Sequence, residues 1–149
     1  MDQESTRTIA QVMKEISELE SERGSIHRSV GVLNAQIEDL MAEKRRLGLL
    51  VDRVEHVITD VRYAHNAASV SGFTGSNRGR VEDHLSNASD QMRIQKGVHE
   101  ANENLIDSEI RKLTTLQDDL EASYANHDKF IARLNEELRQ LRRDMILDV

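Results

Sequence analysis

The stretch SVSGFTGSNRGRVEDHL, residues 69–85, decides how this chain folds. Gly72, Gly75 and Gly79 stand among Ser69, Ser71, Ser76 and Asn77, close to the midpoint of 149 residues that otherwise carry helical patterning. Glycine reaches backbone conformations that other residues avoid, and such a cluster between two periodic segments marks a turn. Working outward from it, both arms show apolar residues at alternating steps of three and four. On the N-terminal side these are Ile9, Val12, Ile16, Leu19, Ile26, Val30, Leu33, Ile37, Leu40, Leu47, Val51, Val54, Ile58 and Val61, with Arg23, Lys44 and His65 as polar members of the same frame. This is a heptad seam. The register is unbroken, so one helix over about residues 5–68 is expected.

The C-terminal arm keeps the rhythm less cleanly. Val81, Leu85, Ala88 and Met92 begin it; Gln95, His99 and Asn102 fall at the next positions; Ile106, Ile110, Leu113, Leu120, Tyr124, Ile131, Leu134, Leu138, Leu141 and Met145 resume it. The step from Ile106 to Ile110 follows another step of four, a stutter that turns the stripe relative to its partner. The polar stretch 95–102 is expected to be the least stable part of a second helix over about residues 80–147. With a turn at about 69–79, the expectation is an all-α, long antiparallel two-helix hairpin in one domain, 1–149, each stripe buried against the other. Residues whose numbers sum to about 148 should then face each other. That places Lys44 near Glu103 and Arg23 near Asp128, opposite charges for two polar seam residues. Gly24, Gly31, Gly48 and Gly97 read either as points of close helix approach or as tolerated surface glycine.

Composition agrees. The chain has no Pro, Trp or Cys, four aromatic residues in all, and 32% charged residues, a profile of long helices. Lacking thiols, it carries no disulfide framework, which leaves the compartment open. The net charge of −7 is spread over both halves and the longest basic run, Lys44-Arg45-Arg46, is short, so nucleic acid is not an expected partner. No window nears the roughly 18 apolar residues of a membrane span. The start, MDQESTRTIAQV, has neither the basic opening nor the apolar core of a signal peptide, so any export is expected to need no such leader.

Catalytic or cofactor chemistry is not expected. Six histidines, at 27, 56, 65, 84, 99 and 127, are scattered, and none follows a Glu at the spacing of a helix-bundle metal motif. The glycines at 72, 75 and 79 have no preceding strand and no following Lys-Ser or Lys-Thr. His99 and Glu103, one turn apart, read as a solvated or seam-lining pair rather than metal ligands, and His65 with Asp83-His84 as a hydrated or pH-sensitive tip.

Gly72-Phe73-Thr74-Gly75, followed by Arg80-Val81-Glu82-Asp83-His84-Leu85, resembles the W-x-G turn of small helical hairpins handled by type VII secretion systems, with Phe73 in the tryptophan's place. The chain is most similar to the accessory α-helical proteins encoded beside LXG toxins in Gram-positive bacteria. Tyr124 and Asp128 have the Y-x-x-x-D spacing of that route's export signal; as residues of this helix they read first as a seam position and an ion pair. Phe73 equally fits a plug at the hairpin end. The resemblance implies a non-catalytic adaptor in the bacterial cytoplasm during assembly. Its implied partners are the helical N-terminal region of a secreted toxin and a second small hairpin, and it implies secretion without a cleavable signal. Positions beside the seam, Met13, Val32, Leu50, Val57, Leu105, Leu116 and Phe130, are the candidate partner-binding flank. A homo-oligomer is compatible with the same stripes, as is the alternative of a structural coiled-coil subunit in a scaffold, tether or cytoskeletal assembly. An adjacent LXG toxin gene would separate these two readings.

Overall fold

The computed structural model describes residues 7–70 and 76–148. Helix α1 spans Ile9–Val70 and helix α2 spans Ser76–Leu147; they pack antiparallel as an all-α hairpin, with no strand among the described residues. Helix α1 starts where the chain gives it a reciprocal cap. The Gln11 backbone N–H donates to Thr8 Oγ1 at 3.2 Å and the Thr8 N–H donates to Gln11 Oε1 at 2.8 Å, a T-x-x-Q capping box that satisfies two donors left over by the helix start. Helix α2 begins before Gly79, inside the span read from sequence as the turn. Arg78 and Glu82, one turn apart and 3.1 Å from each other, support this first turn, where a glycine costs only about 1 kcal/mol relative to alanine.

Packing divides the hairpin into two units, Met1–Gln36 with Leu113–Val149, and Ile37–Lys112. In the first, Val12, Ile16, Ile131, Leu134 and Leu138 form a continuous buried cluster, edged by Ile9, Leu19 and Leu141. These are seam residues of both helices at the predicted spacing. In the second, Leu47 and Ile58 are the buried residues among those described, while Val51, Val54, Val61, Met92, Ile106 and Ile110 are half-buried. The difference lies in the seam chemistry. Lys44, Lys96, His99 and Glu103 share the second unit's seam, and the buried His99 Nδ1 has no hydrogen-bond partner among the described residues. Such an atom costs on the order of 1–3 kcal/mol.

The register is fixed by polar pairs across the helices. Within the first unit Arg23 reaches Asp128 at 2.6 Å and Gln117 donates to Asn34; within the second Lys44 reaches Asp107 at 2.7 Å and Lys96 reaches Glu55 at 2.7 Å. The two residue numbers of each pair sum to 151, not about 148. The predicted Arg23–Asp128 pair forms. Lys44 pairs with Asp107 and not with Glu103, whose carboxylate lies over Gly48, 3.8 Å from where a Cβ would stand. That distance is ordinary van der Waals contact, so a Cβ at 48 would fit beside Glu103.

The same displacement corrects the second seam. Gln95 and Asn102 are exposed, and Lys96 and Glu103 occupy the inward positions. Lys96 can do so because its aliphatic stem lines the seam while its ammonium reaches Glu55 and, at 3.6 Å, Glu100. Consecutive steps of four now fall at Ala88, Met92 and Lys96, so the stutter lies nearer the start of α2 than the apolar residues alone indicate. Met145, read as a seam residue, is 62% exposed. A double-mutant cycle on Lys44 and Asp107 should give a coupling of about 0.2–1 kcal/mol, as expected for a wet pair, and a Lys44–Glu103 cycle should give none. Equal coupling in both cycles would contradict the observed register.

Candidate functional site

A chain of this mass with a complete core exposes about 7,700 Å². This one exposes 11280 Å². Two helices shield one stripe of each other, and the surplus is most informative where it is apolar and ordered into rows.

In the second unit, Ile94, Val98 and Leu105 follow one another at steps of four and seven, so they share a stripe of α2, and they are 67%, 53% and 68% exposed. Leu50 and Val57, seven apart on α1, form a matching row; Val57 is exposed and Leu50 half-buried. Both rows lie on one flank of the hairpin, because Leu50 and Leu105 line the same groove of about 440 Å³, floored by Leu47 and Ile106 and bordered by Glu43 and Arg46. Those two border residues are hydrogen-bonded to each other, Arg46 Nε to Glu43 Oε2 at 3.0 Å. The pairing raises the guanidinium pKa and lowers that of the carboxyl. His99 and Asn102 complete the lining, and the apolar side chains between these polar ones offer contacts to the apolar face of another helix.

The first unit carries a comparable groove of about 480 Å³, in which exposed Val32 and Leu116 lie over buried Leu33 and half-buried Leu120. Met13 and Phe130 are exposed there as well, the Phe130 ring lying 5.9 Å from the guanidinium carbon of Arg133. Of the seven flank positions read from sequence, Met13, Val32, Val57, Leu105, Leu116 and Phe130 are thus exposed. Leu50 is the half-buried wall of a groove. The sequence reading missed Ile94 and Val98, although their spacing to Leu105 signals a second stripe once Gln95 and Asn102 leave the seam.

Tyr124 and Asp128 lie together on the face of α2 that meets α1. Asp128 accepts from Arg23 at 2.6 Å, and the Arg23 guanidinium stands 5.8 Å from the centre of the Tyr124 ring, with the His27 ring 6.2 Å away on the other helix. The hydrogen bond to Asp128 raises the Arg23 pKa further above its ordinary value. Phe73 and Gly75 lie outside the described residues. His65 lines a shallow groove with Leu85 and Ser86, and neither Asp83 nor His84 borders it. Among the described residues no group of three or more His, Cys, Asp or Glu side chains could hold a metal, and no helix is long and apolar enough to cross a membrane.

Comparisons with family models, with curated proteins and with solved structures give no match to this chain.

Proposed function

We propose that this chain is a non-catalytic adaptor that binds the helical N-terminal region of an LXG-type toxin, beside a second small helical hairpin, and promotes the toxin's export by a type VII route. The observation that carries this reading is the double row Leu50–Val57 and Ile94–Val98–Leu105 beside a seam that two helices leave incompletely buried. Burying such side chains against a partner contributes roughly 25 cal/mol per Å² before the cost of association. The Phe73-x-Gly75 motif supports the choice of partner, and assembly in the bacterial cytoplasm belongs to the same proposal. Asp128 and Tyr124 then act in export as a pair presented by the seam that holds them.

The test is co-purification of the full chain with the N-terminal region of an LXG toxin encoded beside it. Phe73→Ala is expected to weaken the complex or the export while leaving helicity and the thermal midpoint nearly unchanged, because one residue between the two helices in sequence supports little of a seam that starts at Ile9. If Phe73→Ala melts the hairpin in step with lost binding, the phenylalanine is a plug. If the unmodified chain captures no toxin, the adaptor reading fails and the scaffold subunit stands. Tyr124→Ala and Asp128→Asn, tested for secretion with the complex intact, separate an export signal from an ion-pair layer.

A further inference from the structure

His127 lies one turn from Ser123 on α2, and its ring is 18% exposed. Its Nδ1 stands 2.7 Å from the Ser123 backbone carbonyl oxygen, and its Nε2 stands 2.9 Å from Glu22 Oε2 on α1. A carbonyl oxygen and a carboxylate can only accept. A neutral imidazole has one N–H and can therefore satisfy one of these two neighbours, whereas the imidazolium donates to both. From this geometry we infer that His127 is a proton-operated clasp, joining α1 to α2 through Glu22 when the ring is protonated and losing one of its two bonds when the ring is neutral.

The surroundings favour the charged form. Helix α1 faces the ring with Glu22, and α2 contributes the Asp128 charge; Arg23 and His27 of α1 lie against the Tyr124 ring. The Arg23 charge is engaged by Asp128, so it does not oppose protonation as a lone cation would. The hydrogen bond to Glu22 comes first, then that to the Ser123 carbonyl, in raising the His127 pKa above 6.5, while burial opposes both. A histidine whose folded pKa is raised binds its proton more tightly in the folded chain than in the unfolded one. The clasp's stabilisation is therefore complete below pH 6.5 and is lost as pH rises through the folded value. The lowered carboxyl groups of Glu43 and Glu55 act in a separate window, contributing above 4.5 and fading as pH falls below it. The clasp also borders the Arg23–Asp128 pair and the Tyr124 ring, so its release loosens the layer that holds those two side chains against α1.

Glu22→Gln isolates the mechanism. A side-chain amide can donate as well as accept, so a neutral His127 could keep Nδ1–H on the Ser123 carbonyl while Nε2 accepts from the introduced amide. The experiment is an NMR titration of the histidine rings of the full chain, together with its thermal midpoint from pH 6 to about 9. In the parent, His127 is expected to titrate above 6.5 with both nitrogens protonated at the acid end, and the midpoint should fall across that titration. In Glu22→Gln the titration should move down and the fall should shrink; His127→Gln, which has nothing to titrate, should also lack it. A parent His127 that titrates at or below 6.5, or a midpoint slope unchanged in both variants, would overturn the clasp.

Discussion

Leu134→Ala is expected to destabilise the chain by about 2–4 kcal/mol and to lower its thermal midpoint by roughly 4–16 °C. Leu134 is 7% exposed and packs in the cluster of Val12, Ile16, Ile131 and Leu138, where both helices contribute at seam positions and no polar residue is buried among the described residues. Truncation removes apolar contacts and leaves a cavity that two packed helices close poorly. Leu105→Ala removes the same atoms from a side chain that is 68% exposed, and should change stability by no more than about 0.5 kcal/mol. Thermal and urea unfolding of the two variants side by side is the check. Equal losses would mean that the cluster is not the main source of stability.

The reverse order is expected for binding. Val98→Asp combined with Leu105→Asp should leave the chain helical, since both positions are more than half exposed and a carboxylate there stays hydrated. Against a partner's apolar face the same carboxylates would be desolvated without a counter-charge. Affinity for the helical region of the proposed toxin partner should drop by about 100-fold or more, near 2.7 kcal/mol, as loss of central contacts gives. Tyr63→Asp is the control. That residue is 78% exposed but belongs to neither row, and its replacement should leave affinity unchanged. Titration calorimetry with circular dichroism on each variant reads both quantities, and a double variant that binds as the parent does would remove this flank as the site.

The two helices were legible in the sequence because the seam of α1 is aliphatic and regularly spaced. Every position in that frame from Ile9 to His65, including Arg23 and Lys44, is buried or half-buried. Between Met92 and Ile106 of α2 the same reasoning had little to grip. Gln95 and Lys96, or Asn102 and Glu103, are all polar, so hydrophobic periodicity cannot choose between neighbours. What chose was the opposite helix: Lys96 pairs with Glu55 and Lys44 with Asp107, which sets the register of the two helices. That choice carried Lys44 from Glu103 to Asp107 and moved Ile94 and Val98 onto the exposed flank. The clasp was harder still to read, since His127 meets both Ser123 and Glu22 only if the cross-helix register is known to within a residue. The capping box at Thr8 and Gln11 is local and stands in the sequence as T-x-x-Q, although its pairing is seen only in the structure.

Hydrogen–deuterium exchange of the full chain, alone and with the N-terminal helical region of an LXG-type toxin, tests the proposed adaptor reading most directly. Peptides spanning residues 50–57 and 94–105 lie where few seam side chains are buried and should exchange readily in the isolated chain. The account predicts that the toxin region slows both together, as one helix laid along the two rows would. A complex that protects neither segment, or that forms with protection confined to other parts of the hairpin, would contradict it.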